Sequence, residues 1–420
     1  MILADDLILR FCQSIYKNTK KSRGSEAMRF NTELEHIATY QAGKPIEEVV
    51  RNFGLKESDI IKLASNENPF SSSPRVIEAL QANAKKAHLY PDDSMLVLKE
   101  ALAQRFGVEV ENLIIGSGSD QVIEMCVRAK ENAHDELDKV KGETHKSQEN
   151  TQKPAVLMSG VTFAMYEIYA KIAGFRILRT QSNSHNLAEF EAKLESNPKI
   201  IFLCVPNNPL GECLDAKQVY EFLECAKSKS PQSLVLIDGA YQEFASFRDS
   251  AKAISPQKIA QHFPNTIYLG TFSKAYGLGG MRVGYGIASA DIIAVLHKVR
   301  PPFNITTLSL IAAIEALKDD DFIKSCIKEN FSQMKRYEDF AASKNIEYIP
   351  SFTNFITFVL PKEIDSSEVC ERLLREGIII RNLASYKMNA CRITIGLDSQ
   401  NTRVLQCLDR ILSSVQKAQK

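Results

Sequence analysis

The strongest constraint on the fold is a series of short apolar runs that alternate with helical segments between residues 112 and 300. The runs span residues 113–115, 155–158, 200–205, 234–237, 266–269 and 283–287. Continuous apolar strands between helices are typical of a mostly parallel sheet with helices on both faces. Several runs end in a polar cluster, and open sheets of this kind bind ligands at the carboxyl ends of their strands. We therefore predict an α/β fold with a ligand site at one edge of the sheet.

The pattern changes after residue 300, where two prolines interrupt the chain. A long helical region over 308–343 precedes a mixture of short apolar runs and helices, at 346–349, 355–360, 366–376, 378–381, 391–395 and 401–418. This mixture predicts a smaller α/β domain with an antiparallel component. The predicted division is an N-terminal extension (1–29), a segment packing on the small domain (30–64), a large domain (65–300) and the small domain (301–420).

Two segments lie outside this plan. Residues 1–27 are interpreted either as a dispensable extension or as an arm that contacts a partner chain. Residues 131–153 are highly charged and almost free of large apolar side chains. They are predicted to form a surface insertion of the large domain, as a solvated loop or as a helix extension followed by a loop.

Composition excludes several classes of protein. Among 420 residues, 52 Lys and Arg against 51 Asp and Glu leave a formal charge of +1, which argues against a dedicated nucleic-acid binder. No run approaches the roughly eighteen apolar residues of a transmembrane helix. The nine cysteines and seven histidines show no metal-site spacing, so we expect no metal. Without a secretory signal, the cysteines indicate reduced thiols in a cytoplasmic protein.

The sharpest local feature is Lys274, which follows the apolar run at 266–269 within the sequence Thr-Phe-Ser-Lys. Lysine is rarely buried, and removal from water lowers the pKa of its amine and makes it a nucleophile. The hydroxyls of Thr271 and Ser273 and the guanidinium of Arg282 are suited to a phosphate. Taken alone, this sequence is also compatible with a generic anion-binding loop.

Two further polar clusters follow neighbouring runs. Asn207 and Asn208 lie in a Pro-Asn-Asn-Pro sequence after 200–205, and Asp238 and Tyr241 follow 234–237. Each has a purely structural alternative, a tight turn for the asparagines and a helix N-cap for Asp238. Together with Lys274 they form an ordered set of polar side chains at strand ends.

These ordered motifs resemble the fold-type I pyridoxal-phosphate-dependent aminotransferases, and within them the histidinol-phosphate aminotransferases. The resemblance covers roughly residues 30–415 and rests on residues 40–45, 63–69, 90–92, 116–120, 205–211, 238–241, 271–285, 377–381 and 392–396. It implies a large domain with a mostly parallel sheet, a smaller α/β domain, pyridoxal phosphate as cofactor and a homodimer. Val161 and Leu210 depart from the Pro and Thr usual in the family, but neither position supplies chemistry.

The resemblance assigns the cofactor's reactive end to five residues. Lys274 would bind it covalently and, once released, carry a proton as a free amine. Asp238 would pair with the ring nitrogen, and Asn208 and Tyr241 would hydrogen-bond the ring oxygen. Phe163 would stack on the ring, although simple core packing is its alternative.

The resemblance also implies a phosphate site and a substrate site. The phosphate would be held by Ser119, Asp120 and Gln121 at a helix N-terminus, by Thr271, Ser273 and Arg282, and by Tyr90 of a neighbouring subunit. For Tyr90 the alternative is an ordinary extended dipeptide with Pro91. The substrate would be bound by Arg392, Arg381, Tyr40 and Asn354. For Arg392 the alternative is a surface ion pair.

The leading interpretation is a transaminase of histidine biosynthesis that acts on histidinol phosphate and on glutamate or 2-oxoglutarate. An aromatic amino-acid aminotransferase and a phosphothreonine-type decarboxylase are the alternatives within the superfamily. Outside it, a binding protein with a degenerate site conflicts with the intact Lys274, Asp238 and Arg282. A nicotinamide-dependent dehydrogenase lacks the third glycine of its fingerprint near Gly116.

Overall fold

The computed structural model describes residues 31–37, 46–130 and 153–418. The chain divides into two compact units, Met1–Thr39 and Tyr40–Lys420. In the first unit the described structure is a short 3₁₀ helix, Thr32–His36. The predicted extension at 1–29, the candidate substrate residue Tyr40 and nearly all of the predicted insertion at 131–153 lie outside the described residues.

The strands of the second unit, in chain order, are β1 (Ile61–Lys62), β2 (Leu113–Gly116), β3 (Ala155–Met158), β4 (Arg176–Arg179), β5 (Ile200–Cys204), β6 (Leu234–Asp238), β7 (Thr266–Thr271), β8 (Gly284–Ala288), β9 (Glu347–Ile349), β10 (Phe355–Val359), β11 (Ile378–Ile379), β12 (Arg381–Asn382) and β13 (Ala390–Thr394). Its α-helices are α1 (Ile46–Phe53), α2 (Pro74–Asn83), α3 (Leu96–Phe106), α4 (Gly118–Ala129), α5 (Ala164–Ile172), α6 (Leu187–Glu191), α7 (Ala216–Lys229), α8 (Gln242–Arg248), α9 (Pro256–His262), α10 (Ala290–Val299), α11 (Thr307–Ala316), α12 (Asp320–Lys344), α13 (Ser366–Arg375) and α14 (Asp398–Ala418).

A seven-stranded sheet forms the centre of this unit, with the strand order β2-β8-β7-β6-β5-β3-β4. The neighbours from β7 to β4 pair in parallel, and β8 pairs antiparallel with both β7 and β2. Every residue of β3, β5, β6 and β7 is buried, because apolar clusters cover both faces of the sheet. The predicted α/β fold with a mostly parallel central sheet is confirmed.

A second, four-stranded sheet has the order β12-β13-β10-β9, and all its pairs are antiparallel. Its apolar cluster is separate from those of the central sheet and includes side chains of α12, α13 and α14. This is the antiparallel component expected after residue 300. The domain boundaries given above stay predictions.

The segment before the central sheet packs on elements near the C-terminus. β1 pairs in parallel with β11, with Ile61 opposite Ile378. Val49 of α1 and Ala64 share a small apolar cluster with Leu374 and Ile379. The residues after β1 contact both larger sheets, because the Leu63 carbonyl oxygen accepts a hydrogen bond from the N–H of Thr394 on β13 and Asn66 Nδ2 donates one to Tyr241, which follows β6.

Two elements differ from the predicted ones. The helical region expected over 308–343 is two helices, because Asp319 caps α12 by accepting a hydrogen bond from the backbone N–H of Phe322. The run at 378–381 is split between β11, which pairs with β1, and β12, which joins the four-stranded sheet. The periodicity of apolar residues indicates neither the break between the two helices nor the change of strand partner.

Candidate active site

The carboxyl ends of β5, β6 and β7 bring three of the predicted polar clusters to one edge of the central sheet. Asp238, the last residue of β6, is opposite Cys204 at the end of β5 and Leu269 near the end of β7. Asn208 follows β5 by four residues, and Lys274 follows β7 by three. Their proximity results from parallel pairing, which places equivalent strand ends side by side.

Asp238 is a buried carboxylate with two hydrogen-bond donors. Its Oδ2 accepts a hydrogen bond of 2.6 Å from the Tyr166 hydroxyl, and its Oδ1 accepts one of 3.1 Å from the backbone N–H of Ala240. Burial raises the pKa of Asp238, whereas these hydrogen bonds and the charge of Lys274 lower it. The Tyr166 ring is stacked on Phe202 with centroids 4.6 Å apart, so the hydroxyl is held in place.

Lys274 has an amine that is easier to deprotonate than an ordinary lysine. Burial, followed by the positive charges of Arg392 and Arg282, lowers its pKa to about 8. Its Nζ donates a hydrogen bond of 3.3 Å to the carbonyl oxygen of Ser65. At that pKa about one-tenth of this amine is neutral, and so nucleophilic, at pH 7, far more than for an ordinary lysine.

The N-terminus of α4 forms one wall of an anion site. A Cβ added to Gly118 would lie 2.6 Å from a guanidinium nitrogen of Arg282, and one added to Gly284 would lie 2.1 Å from the backbone nitrogen of Ser119. These glycines therefore let the guanidinium and β8 approach the free N–H groups of the helix. Arg282 also donates to the Ser273 hydroxyl at 3.3 Å. The donor set, a helix N-terminus beside a guanidinium and hydroxyls, fits a phosphate group.

Three other predicted phosphate ligands, Thr271, Asp120 and Gln121, lie near the N-terminus of α4. Their side chains differ in their hydrogen-bond partners. Thr271 Oγ1 is 3.0 Å from Ser273 Oγ. The Asp120 carboxylate accepts a hydrogen bond of 2.9 Å from Tyr169, and burial raises its pKa. Gln121 differs, because its side-chain oxygen already accepts hydrogen bonds from the Ser117 N–H and from Asn304, both at 2.7 Å. The side-chain oxygen of Gln121 therefore stabilises the start of α4.

Tyr241 lies next to Lys274 and Asn208 contacts Arg392, and each has a hydrogen-bond partner. The Tyr241 hydroxyl accepts a hydrogen bond of 2.8 Å from Asn66 Nδ2, and burial raises the pKa of its phenol. Its ring centroid is 5.9 Å from Lys274 Nζ. Asn208 Oδ1 accepts a hydrogen bond of 2.5 Å from Arg392.

The two candidate substrate arginines lie on neighbouring strands of the four-stranded sheet. Arg381 on β12 is directly opposite Arg392 on β13, and opposite residues of an antiparallel pair project from the same face. Arg392 is 8% exposed and donates a hydrogen bond of 2.7 Å to the carbonyl oxygen of Ala64. A surface ion pair, the alternative weighed for Arg392, does not fit this burial.

For three other candidates, Asn354, Phe163 and Tyr90, the structure shows contacts with residues other than Lys274 and Asp238. Asn354 is 2% exposed, and its Nδ2 donates to the carbonyl oxygens of Asn66, at 3.0 Å, and Glu67, at 3.4 Å. The Phe163 ring contacts Tyr166 edge-on, with centroids 5.5 Å apart. Tyr90 is 81% exposed and packs on Phe303, with centroids 4.7 Å apart.

Sequence reasoning missed two side chains and one stretch of backbone. Tyr166 and Asn66 received no role, and neither did the carbonyl groups of residues 64 and 65. The sequence over 63–69 was quoted as a motif, so its unusual density of polar residues was the available signal for Asn66. No comparable signal marked Tyr166, since a tyrosine three residues after Phe163 on an apolar helix face is typical of core packing.

Two features are absent from the part of the chain that the structure describes. Within it, no group of three or more His, Cys, Asp or Glu side chains is placed to hold a metal ion. In the same residues, no helix combines the length and apolar character that crossing a membrane requires.

Comparison with known proteins identifies close relatives. The family model for aminotransferase class I and II matches residues 58–408. Histidinol-phosphate aminotransferase of Wolinella succinogenes is 55% identical over 386 residues, which cover 92% of this chain and 99% of that protein. Histidinol-phosphate aminotransferase of Campylobacter concisus is 55% identical over 388 residues, covering 92% of this chain and 100% of that protein.

A solved structure agrees with these relatives. The crystal structure of histidinol-phosphate aminotransferase from Sinorhizobium meliloti in complex with pyridoxal-5'-phosphate aligns with a TM-score of 0.78 at 25% identity. The alignment covers 94% of this chain and 100% of that one.

Proposed function

We propose, from the premise that this chain belongs to the class I and II aminotransferase family, that it is a histidinol-phosphate aminotransferase with pyridoxal phosphate as cofactor. Its amino-group exchange is between histidinol phosphate and 2-oxoglutarate. The substrate assignment rests on the 50–55% identity, over nearly the whole chain, to proteins of that name.

The residues at the sheet edge fit this cofactor. The phosphate would lie at the N-terminus of α4, between the Arg282 guanidinium and the hydroxyls of Thr271 and Ser273. Ser119 and Asp120 would face it from the helix. Asp238 would accept a hydrogen bond from the protonated ring nitrogen, because a buried carboxylate next to Lys274 is stabilised by a positive partner.

The reactive chemistry is shared between cofactor and protein. Pyridoxal phosphate, when bound, draws electron density away from the substrate carbon that loses its proton. Lys274 would hold the cofactor covalently, and its lowered pKa would leave the released, neutral amine able to accept the proton of the substrate carbon. Asn208 and Tyr241 would orient the cofactor's ring oxygen, and Phe163 would cover the ring face.

The second sheet would supply the substrate's anion sites. Arg392, held by Asn208 and Ala64, would bind the carboxylate of glutamate in one half-reaction and the phosphate ester of histidinol phosphate in the other. Arg381 would add a second guanidinium from the same face of the sheet. Asn354 would act by holding residues 66 and 67, and Tyr40 is proposed for the same pocket on family resemblance alone.

We further propose that the enzyme is a homodimer whose sites are completed across the interface. Tyr90, largely exposed in the single chain, has the exposed apolar side chains of Leu89 and Phe303 close to it, a surface suited to burial against a second copy. By family resemblance, the Tyr90 hydroxyl would reach the phosphate of the other subunit. The eight cysteines in the described residues are free thiols, which is consistent with our proposal of a cytoplasmic location.

One assay separates this function from its alternatives. Purified enzyme loaded with pyridoxal phosphate is mixed with histidinol phosphate or with phenylalanine, and loss of the cofactor's visible absorbance is followed. We expect histidinol phosphate to react with the higher kcat/KM. Preference for phenylalanine would favour an aromatic aminotransferase. Release of CO₂ from phosphothreonine, added as a third substrate without 2-oxoglutarate, would favour a decarboxylase.

A further inference from the structure

Residues 64–68, which we call the strap, lie between β1 and α2 and contact several groups of the site through their backbone. The carbonyl oxygen of Ala64 accepts a hydrogen bond from Arg392, and that of Ser65 accepts one from Lys274 Nζ. Asn68 Nδ2 donates at 3.1 Å to the carbonyl oxygen of Ala275, the residue after Lys274. The strap therefore holds its central residue, Asn66, at a fixed place in the site.

The backbone and the side chain of Asn66 both form hydrogen bonds within the site. Asn66 is 2% exposed, and its φ of +55° is in the left-handed region, which asparagine tolerates better than most residues. Its backbone N–H donates to Thr394 Oγ1 at 3.0 Å, and its carbonyl oxygen accepts from Asn354. Its side chain joins Thr394 Oγ1, 3.1 Å from Oδ1, to the Tyr241 hydroxyl, 2.8 Å from Nδ2.

The Asn66 amide points its oxygen at the Thr394 hydroxyl and its nitrogen at the Tyr241 hydroxyl. Thr394 Oγ1 already accepts the backbone N–H of Asn66, so its own hydrogen is available to donate to Oδ1. With Oδ1 toward Thr394, Nδ2 must face Tyr241. The phenol oxygen therefore accepts a hydrogen bond from Asn66, and its own hydrogen is left to point at another acceptor.

We propose that Asn66 is a positioning residue for the reaction, because it makes Tyr241 a hydrogen-bond donor toward the cofactor's ring oxygen. The inference rests on the proposed function, in which that oxygen is the partner of Tyr241. If the amide faced the other way, the phenol would donate to Asn66 and would have no hydrogen for the cofactor. Asn66 thus acts through Tyr241 and does not itself touch the reacting atoms.

The test uses the pH at which the visible absorbance of the bound cofactor changes. A donor to the ring oxygen stabilises its anionic form and lowers that pH. Tyr241→Phe removes the donor, and Asn66→Asp turns the phenol hydrogen away, since a carboxylate only accepts. Each should raise the transition by about 1 pH unit, the effect of one lost hydrogen bond to a charged oxygen.

The double variant separates hydrogen-bond direction from charge. A carboxylate introduced at position 66 that acted only by its charge would still raise the transition in Tyr241→Phe protein. If it acts through the phenol, Asn66→Asp should add less than about 0.3 pH unit in that background. An additional shift as large as in the wild-type background would overturn the proposal.

Two controls cover backbone and folding effects. Asn66→Gly keeps the left-handed backbone without strain and removes the amide that orients the phenol hydrogen, so the transition should rise by more than about 0.3 pH unit but by less than in Asn66→Asp. Asn345→Asp makes the same chemical change at another left-handed asparagine, at the end of α12, and should have no effect. An unchanged transition in Asn66→Gly would contradict the inference, because the amide would then not be needed to make the phenol a donor.

The proposed function and this inference fail in different ways. If wild-type protein forms no visible absorbance band with pyridoxal phosphate, or if Lys274→Ala retains that band, the proposed function is wrong. If the band forms on Lys274 and Asn66→Asp leaves its pH transition unchanged while far-ultraviolet circular dichroism stays native, the role of Asn66 is wrong.

Discussion

Replacement of Arg392 and Arg381 by alanine, one at a time, tests how one pocket accepts two different anions. Both arginines project from the same face of the four-stranded sheet, and Arg392 is further held by Asn208 and the Ala64 carbonyl. Arg392 should therefore be placed to bind either anion. Arg381 should contribute mainly to the phosphate ester, whose larger charge can engage a second guanidinium.

The magnitude follows from one charge-assisted hydrogen bond per arginine. Such a contact is worth roughly 1.5–3 kcal/mol, which is about 10- to 150-fold in kcat/KM. Arg392→Ala should lose this much in both half-reactions. It also leaves a buried acceptor on Ala64 and a half-buried one on Asn208 without their donor, so the melting temperature of the variant should fall as well. Arg381→Ala should lose this much with histidinol phosphate and less than about threefold with glutamate.

The assay is rapid mixing of each half-reaction, followed by the absorbance of the bound cofactor. Arg392→Lys should recover only part of the loss, because it keeps the charge without the planar fork of the guanidinium. Arg375→Ala is the matched control, since this exposed arginine pairs on the surface with Glu371 and should change neither half-reaction. If Arg381→Ala left histidinol-phosphate turnover intact while phenylalanine reacted well in the wild type, we would abandon the substrate assignment for an aromatic aminotransferase.

Three further predictions concern Lys274 and Tyr90. Borohydride should fix the cofactor on Lys274, as seen by peptide mass spectrometry, and Lys274→Ala should lower kcat by several orders of magnitude; label on another lysine would refute the assignment. Mixed Tyr90→Phe and Lys274→Ala subunits should regain part of the activity, because one site of each heterodimer escapes both changes; no recovery after demonstrated subunit exchange would place the site within one chain. Without cofactor, the lowered pKa of Lys274 means that the unfolded chain binds more protons between about pH 8 and 10.5, so the free energy of unfolding should rise across that window, by at most about 3 kcal/mol. Lys274→Met should remove this rise, which chemical denaturation at several pH values would measure.

The sequence was sufficient for features that depend on neighbouring residues. Apolar runs between helices predicted the parallel sheet, because strands buried on both faces must be continuously apolar. Asp238 and Lys274 could be placed for the same reason, since a polar residue after such a run is at the sheet edge wherever the strand lies. The free N–H groups at the start of α4 were also predictable, because a helix N-terminus forms locally, whereas their proximity to Arg282 was not.

Other features depended on segments that are distant along the chain. The hydrogen bonds from Tyr166 to Asp238 and from Asn66 to Tyr241 span 72 and 175 residues, and no local pattern records them. Whether Arg381 and Arg392 share a face depended on strand register, since a shift by one residue would place them on opposite faces. The local sequence pattern indicates which polar residues follow the strand ends. The packing of the strap against two sheets determines which of those polar groups contact one another.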